Sequence, residues 1–242
     1  MKTLVYQYFD RELPVWAKIS KERFEAYARM HGADYEFKNA LNYTGNPYFE
    51  HLELVYDQRF LDYDRILYVD MDVIPENLET NIFERPVNDV GLIAEKLYDG
   101  MSEIPFFVTK FAQSNYKKCL RKFGLPEYKT SSGSEVIFNS GVILWTRNGL
   151  IKARKHFMDW RVWFDGIRDH NLKLDQPFIN SQLTKFDVTE LPLIWNCYPR
   201  TRWEPGRFPE EAIFVHYTGM KKLAIEGIGI NKLYLKEEHP DE

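Results

Sequence analysis

The stretch Arg65–Pro75, RILYVDMDVIP, constrains the fold of this chain more than any other. An apolar run leads straight into two aspartates with one residue between them. Such an unalternating run reads as a strand buried on both faces, the kind found inside a parallel sheet. Two carboxylates this close repel, so something positive is expected between or beside them. In open α/β sheets, ligands bind beyond the carboxyl ends of the strands. Asp70 and Asp72 therefore stand where a ligand belongs, and Met71 points the other way by strand alternation.

The same spacing occurs at Asp62–Asp64, DYD, in a polar turn before the strand, where solvation suffices. For Asp70 and Asp72 a helix cap or a turn is one reading. The other is a hard divalent cation, Mn²⁺ or Mg²⁺, which takes oxygen ligands from one or two carboxylates and substrate phosphates.

The surrounding pattern predicts an α/β chain. Thr3–Phe9 reads as a first strand and Pro14–His31 as a helix with Val15, Ile19, Phe24 and Tyr27 on one side, stopped by Gly32. DYEF is a short strand. Tyr48–Leu61 reads as a helix, and Asn77–Glu84 as a short helical piece. VGLIAE is a strand, Asp99–Tyr128 is irregular with a helix around Asn115–Phe123, and EVIFNSGVILW holds a further strand. Gly149–Ile167 reads as one long helix and Leu174–Lys185 as another, with DVTELP and AIFVHY as the last strands. This alternation predicts helices packed on a mostly parallel central sheet. No linker-like stretch divides residues 1–242, so a single domain is expected.

A net charge of −4 supplies no basic field, which argues against nucleic acid as a partner. A nucleotide remains compatible, because a metal ion brings its own positive charge. The 17 Phe, 15 Tyr and 6 Trp offer flat walls for stacking. Cys119 and Cys197 do not form a disulfide framework, so a reducing compartment is expected. The first residues lack a signal-peptide pattern, and no apolar run reaches the ~20 residues of a membrane span. A soluble, cytoplasmic protein is the expectation.

Two enzyme classes end a strand in this way. Haloacid-dehalogenase-like phosphatases carry D-x-D-x-[T/V], which DMDVI fits locally. They also need a later acidic pair such as G-D-x-x-x-D, and none follows. Nucleotide-sugar glycosyltransferases use the pair to grip a metal on a diphosphate. Four pieces in order favour the second class: RILYVDMDVI, IFNSGVILW, LDQPFIN and FVHYTGMKK. On these the sequence resembles the GT-A-fold glycosyltransferases of the glycogenin and galactosyltransferase type, family 8-like. The resemblance runs from the first strand to about Lys222, and the compact length is similar to chlorovirus and bacterial surface-glycan transferases.

The resemblance implies a three-layer, Rossmann-like GT-A domain and transfer of a hexose from a UDP-sugar to a glycan or glycoprotein hydroxyl, with retention. It implies Asp70, Asp72 and His216 as ligands of Mn²⁺ or Mg²⁺, with a core or surface histidine as the alternative for His216. Gly219 would let the backbone approach a diphosphate, and Lys222 would neutralise the leaving group, with Lys221 beside it. Arg65 would reach phosphate or sugar hydroxyls, or is a surface charge. Asn139 and Ser140 interrupt an apolar run, which is costly unless they are hydrogen-bonded, by a sugar or inside a β-bulge. Asp175 and Gln176 would face the donor sugar, or Asp175 caps its helix. Tyr6, Gln7 and Tyr8 lie where the family binds the nucleotide base. The family's Pro-Trp after its late lysine is replaced here by Leu223–Ala224. A viral protein acting in a host cytoplasm fits this pattern. The remaining alternative is a sugar-nucleotide-binding relative without catalysis.

Overall fold

The computed structural model describes residues 1–98, 103–105, 110–130, 133, 136–168, 172–198 and 211–217. Its first strand, β1 (Thr3–Tyr8), is buried along its whole length, as its unbroken apolar and aromatic run requires. Helix α1 (Val15–Met30) follows Pro14, which is its N-cap, and ends before Gly32 in the left-handed region at φ 62°. Its inner face is Ala17, Ser20, Phe24, Tyr27 and Ala28, whereas Val15 is exposed. Strand β2 (Asp34–Lys38) then pairs parallel with β1.

The expected helix over Tyr48–Leu61 is instead a 3₁₀ turn (Glu50–Leu52), a single α turn, α2 (Glu53–Tyr56), and a second 3₁₀ turn (Gln58–Asp62). Asp57 breaks it: its backbone is extended, and its side chain caps the next turn by accepting from the Arg59 amide. Between Asn77 and Glu84 only Ile82–Glu84 is helical, because Asn77 and Asn81 fold their side chains onto the following amides.

Strand β3 (Arg65–Val69) is followed by the short β4 (Val73–Pro75) and by β5 (Val90–Ala94). Next come β6 (Lys96–Tyr98) and β7 (Glu103–Pro105), an antiparallel pair whose second strand falls in the stretch expected to be irregular, and α3 (Lys110–Lys122). Strand β8 (Phe138–Thr146) precedes α4 (Arg147–His156) and α5 (Trp160–Gly166). The long helix expected over Gly149–Ile167 is thus two. Thr146 caps the first, Asp159 caps the second, and extended Phe157 between them sends its ring against Trp145, Phe178 and Phe186. Helix α6 (Asp175–Gln182), β9 (Val188–Leu191) and β10 (Phe214–His216) complete the described fold.

The main sheet has the order β2-β1-β3-β8-β5-β9. Strands β1, β2 and β3 run parallel, as do β5 and β9, and β8 lies antiparallel between β3 and β5. One apolar core, including Tyr6, Trp145, Trp163 and Phe178, and a second, including Phe24, Phe83, Trp195 and Phe214, fill the layers against the sheet. The architecture is the α/β sandwich with a mostly parallel sheet that the alternation predicts.

Two irregularities position the site. The β5–β8 register slips: Leu92 faces Ile143 but Ile93 faces Asn139, so β8 bulges at Asn139–Gly141. A separate antiparallel pair joins β4 to β10 and sets His216 opposite Val73, next to Asp72.

Candidate active site

Asp70 leaves β3 and is held at once, because its amide donates to the Gly141 carbonyl at 2.9 Å. The Val73 amide donates to the Asp70 carbonyl at 3.1 Å, closing a tight turn that sets both carboxylates on one side. Met71 between them is buried. The Tyr217 amide donates to the Asp72 carbonyl at 2.8 Å, tying this turn to β10. Two distant segments thereby converge: ligand atoms of Asp70, Asp72 and His216 all lie within 4.8 Å of one another. Asp72 Oδ1 is 3.2 Å from His216 Nε2.

Burial, then the neighbouring Asp72, push the Asp70 carboxyl up to about 6, although His216 pulls it down and the Tyr68 hydroxyl donates to it at 2.6 Å. Two carboxylates and one imidazole nitrogen form a donor set suited to Mn²⁺ or Mg²⁺. Gly141 supplies the room. A Cβ there would come within 2.5 Å of His216 Cε1 and 2.9 Å of both Asp70 Oδ2 and Asn139 Oδ1. The residues present fit a divalent cation.

The second half of the site is a chain of amides. Asn139, at the bulge, accepts from the Gly141 amide at 2.8 Å and from Asn196 Nδ2 at 2.9 Å through the same oxygen. Its Nδ2 donates to Gln176 Oε1 at 3.0 Å, and Gln176 Nε2 donates to Glu95 Oε2 at 2.9 Å. At the other end Asn196 Oδ1 lies 3.1 Å from His216 Nδ1. Asp175 opens α6 and accepts from Ser140 and from its own and the Gln176 amides, while burial pushes its carboxyl up to about 6. Asp175 thus both satisfies its helix's first turn and faces the bulge.

Asn139, Ser140, Asp175 and Gln176 are therefore brought together beside Asp70, Asp72 and His216. Arg65 is not. It begins β3, whereas Asp70 follows the strand's other end, and its guanidinium donates to the Phe83 and Arg85 carbonyls. That placement is structural: ligand and Arg65 are separated by the length of the strand. Tyr6 is buried with its hydroxyl donating to Glu53 at 3.3 Å, and Gln7 is buried between Ser20 and Tyr35. Tyr6 and Tyr8 share one face of β1, and both are buried. Tyr8, at the strand's carboxyl end, keeps a buried hydroxyl with no hydrogen-bond partner among the described residues. Gly219, Lys221 and Lys222 lie outside the described residues.

Four residues here were not singled out in the sequence. Glu95 follows β5 as Asp70 follows β3, and Asn196 interrupts LIWNCY as Asn139 interrupts IFNSG, so the same rules would have found both. His51 and Tyr198 carried no such signal. His51 stacks on Tyr68 at 4.6 Å, its Nε2 3.8 Å from Asp175 Oδ2, and burial pushes its pKa down to about 4. Tyr198 stacks on His216 at 5.3 Å.

A strand-ending carboxylate pair, a histidine from the last described strand and a sheet with this order define a GT-A glycosyltransferase fold. Solved structures agree on the fold. A glycosyltransferase involved in glycosylation of the major capsid of PBCV-1 aligns with a TM-score of 0.58 at 14% identity, covering 96% of this chain and 100% of that one. The galactosyltransferase LgtC, in complex with donor and acceptor sugar analogs, aligns at 0.54 and 17%, covering 90% and 87%. Mouse xyloside xylosyltransferase 1 aligns at 0.52 and 14%, covering 90% and 98%. No curated protein sequence matches significantly. The family model for glycosyl transferase family 8 matches residues 15–223, and the chain belongs to that family of glycosyltransferases. No helix among the described residues is long and apolar enough to cross a membrane.

Proposed function

We propose that this glycosyltransferase moves a hexose from a UDP-sugar to a hydroxyl of a glycan or glycoprotein, with retention at the anomeric carbon and dependence on Mn²⁺ or Mg²⁺. The observation that carries the reading is the convergence of Asp70, Asp72 and His216 from segments far apart in sequence. A cation bound there would supply Lewis-acid stabilisation of the departing diphosphate. The chain's own residues do the rest. Asp70, Asp72 and His216 would hold the ion and so fix where the diphosphate can lie. Asn139, Ser140, Asp175 and Gln176 line the adjoining wall and hold the sugar hydroxyls, which orients the anomeric carbon. Tyr8 offers its buried hydroxyl and ring at the carboxyl end of β1, on the side expected for the base. For Gly219 and Lys222, which follow β10 in sequence, the family resemblance implies a role at the leaving diphosphate.

Two carboxylates, Asp175 and Glu95, flank Gln176. A double displacement would use one of them as nucleophile. A front-face reaction, in which the leaving phosphate takes the acceptor proton, needs neither. The expected setting is the cytoplasm. Family membership sets aside the phosphatase alternative. A related protein that binds without turnover is separated by experiment. UDP release from UDP-glucose with Mn²⁺, abolished by EDTA, is the expected result. Melting shifts across a nucleotide panel with Mn²⁺ test the base, since a ligand stabilises the state it binds. A shift with GDP and none with UDP would overturn the donor assignment.

A further inference from the structure

The amide chain has a direction, and the direction can be deduced without relying on how any amide was oriented. The Gly141 backbone N–H can only donate, so the atom of Asn139 facing it at 2.8 Å must be the carbonyl oxygen. The atom of Asn196 that meets this same oxygen at 2.9 Å must then be its NH₂ group. That leaves the Asn196 carbonyl oxygen facing His216 Nδ1 at 3.1 Å, and an acceptor there requires Nδ1 to carry hydrogen. Asn196 is fully buried and His216 nearly so, so water does not compete for either contact.

The consequence falls on the other ring nitrogen. In the neutral ring Nε2 holds a lone pair and faces Asp72 Oδ1 at 3.2 Å. Two acceptors at that distance attract only with a proton or a cation between them. We propose that Asn196 is a positioning residue for the cation site: it receives a donor–acceptor polarity fixed by the Gly141 N–H and passes it to His216, selecting the Nδ1–H tautomer and aiming the Nε2 lone pair at the metal. Tyr198, stacked on the ring, limits its rotation. The Gln176–Glu95 arm attaches to the opposite end of Asn139, so it does not set this tautomer. The inference rests on the metal reading of Asp70, Asp72 and His216.

The test has two readouts. Long-range ¹H–¹⁵N spectra of metal-free protein at mildly alkaline pH report the His216 tautomer, its signals assigned by their loss in His216→Gln. Titration with Mn²⁺ alone, followed by electron paramagnetic resonance, reports affinity. The unaltered protein is expected to show the Nδ1–H form. Asn196→Ala should lose that preference and bind Mn²⁺ about 10- to 100-fold more weakly, the usual cost of removing such a partner. Asn196→Asp should keep the Nδ1–H form, because a carboxylate only accepts. Glu95→Gln should leave the tautomer as it is. An Nε2–H form in the unaltered protein overturns the proposal without any variant. So does an Asn196→Ala protein that keeps both tautomer and affinity. If the unaltered protein shows the Nδ1–H form but takes up no Mn²⁺, the metal reading fails while the tautomer relay stands.

Discussion

Asp62–Asp64 and Asp70–Asp72 share a spacing and meet opposite environments. Asp64 lies half-exposed in the turn before β3, where it accepts from the Lys2 amide at 2.7 Å and pairs with Arg147 at 3.0 Å. The Lys2 amide, with Arg147, pulls its carboxyl below the usual range. Asp70 lies at the far end of the same strand, and burial and Asp72 push its carboxyl up to about 6. Asp64 meets its partners at the surface, whereas Asp70 is buried beside a like charge. The difference teaches that a binding site is marked less by the residues than by the burial and like charge the fold imposes on them.

The comparison breaks most easily at Asp72. Asp72→Ala is expected to lower donor turnover by about a hundredfold to a thousandfold, since metal-held charge stabilisation is worth several kcal/mol. Steady-state UDP release measures it, and retention of most activity would remove the distinction between the two pairs. Gly141→Ala comes next. Its Cβ overlaps His216 and Asp70, so it should cost about 1–3 kcal/mol of stability and weaken Mn²⁺ binding, as read by melting and metal titration.

Stability against pH sharpens the contrast further. The folded values of Asp70 and Asp175, about 6, lie above their unfolded value of 3.8. Between these limits the folded protein binds the extra protons, so their contribution is present in acid and is lost as pH rises through about 6. Metal-free protein should lose a few degrees of melting temperature from this source, on the order of 1 kcal/mol or more. Mn²⁺ should flatten the slope, and Asp70→Asn should reduce it. Asp64 tilts the other way: its folded value is lowered, so its contribution is present above the unfolded value and lost as pH falls. The smallest effect is expected for Asp64→Asn, with melting temperature and turnover both close to those of the unaltered protein. A loss of turnover matching Asp72→Ala would erase the contrast.

Long, strongly patterned segments were legible in the sequence: β1, α1, β3, β8 and β10 lie where periodicity puts them. The failures have particular causes. The helix expected over Tyr48–Leu61 is cut by the Asp57 cap, and that over Gly149–Ile167 by the Asp159 cap, where a side chain–backbone bond outweighed an apolar pattern. Glu50 reinforces the first departure. Its buried carboxylate accepts from Lys38 and from the Asn42, Tyr43 and Thr44 amides, which gathers a loop around that turn. Of the site, each residue that ends a strand or interrupts an apolar run could be found by rule. Arg65 resembled a site residue by position, yet β3's length carries it to the wrong end.

By itself the sequence determined that a buried strand ends in paired carboxylates, and so that negative charge gathers beyond that strand's carboxyl end. Burial pattern and like-charge repulsion are local properties, written in neighbouring residues. Only the tertiary structure decided which distant groups answer that pair. The β4–β10 register delivers His216, the β8 bulge turns Asn139 inward, and the turn after β9 brings Asn196 between them. Those contacts depend on how strands slide against one another, and a register is set by the packing of the whole sheet rather than by any one segment.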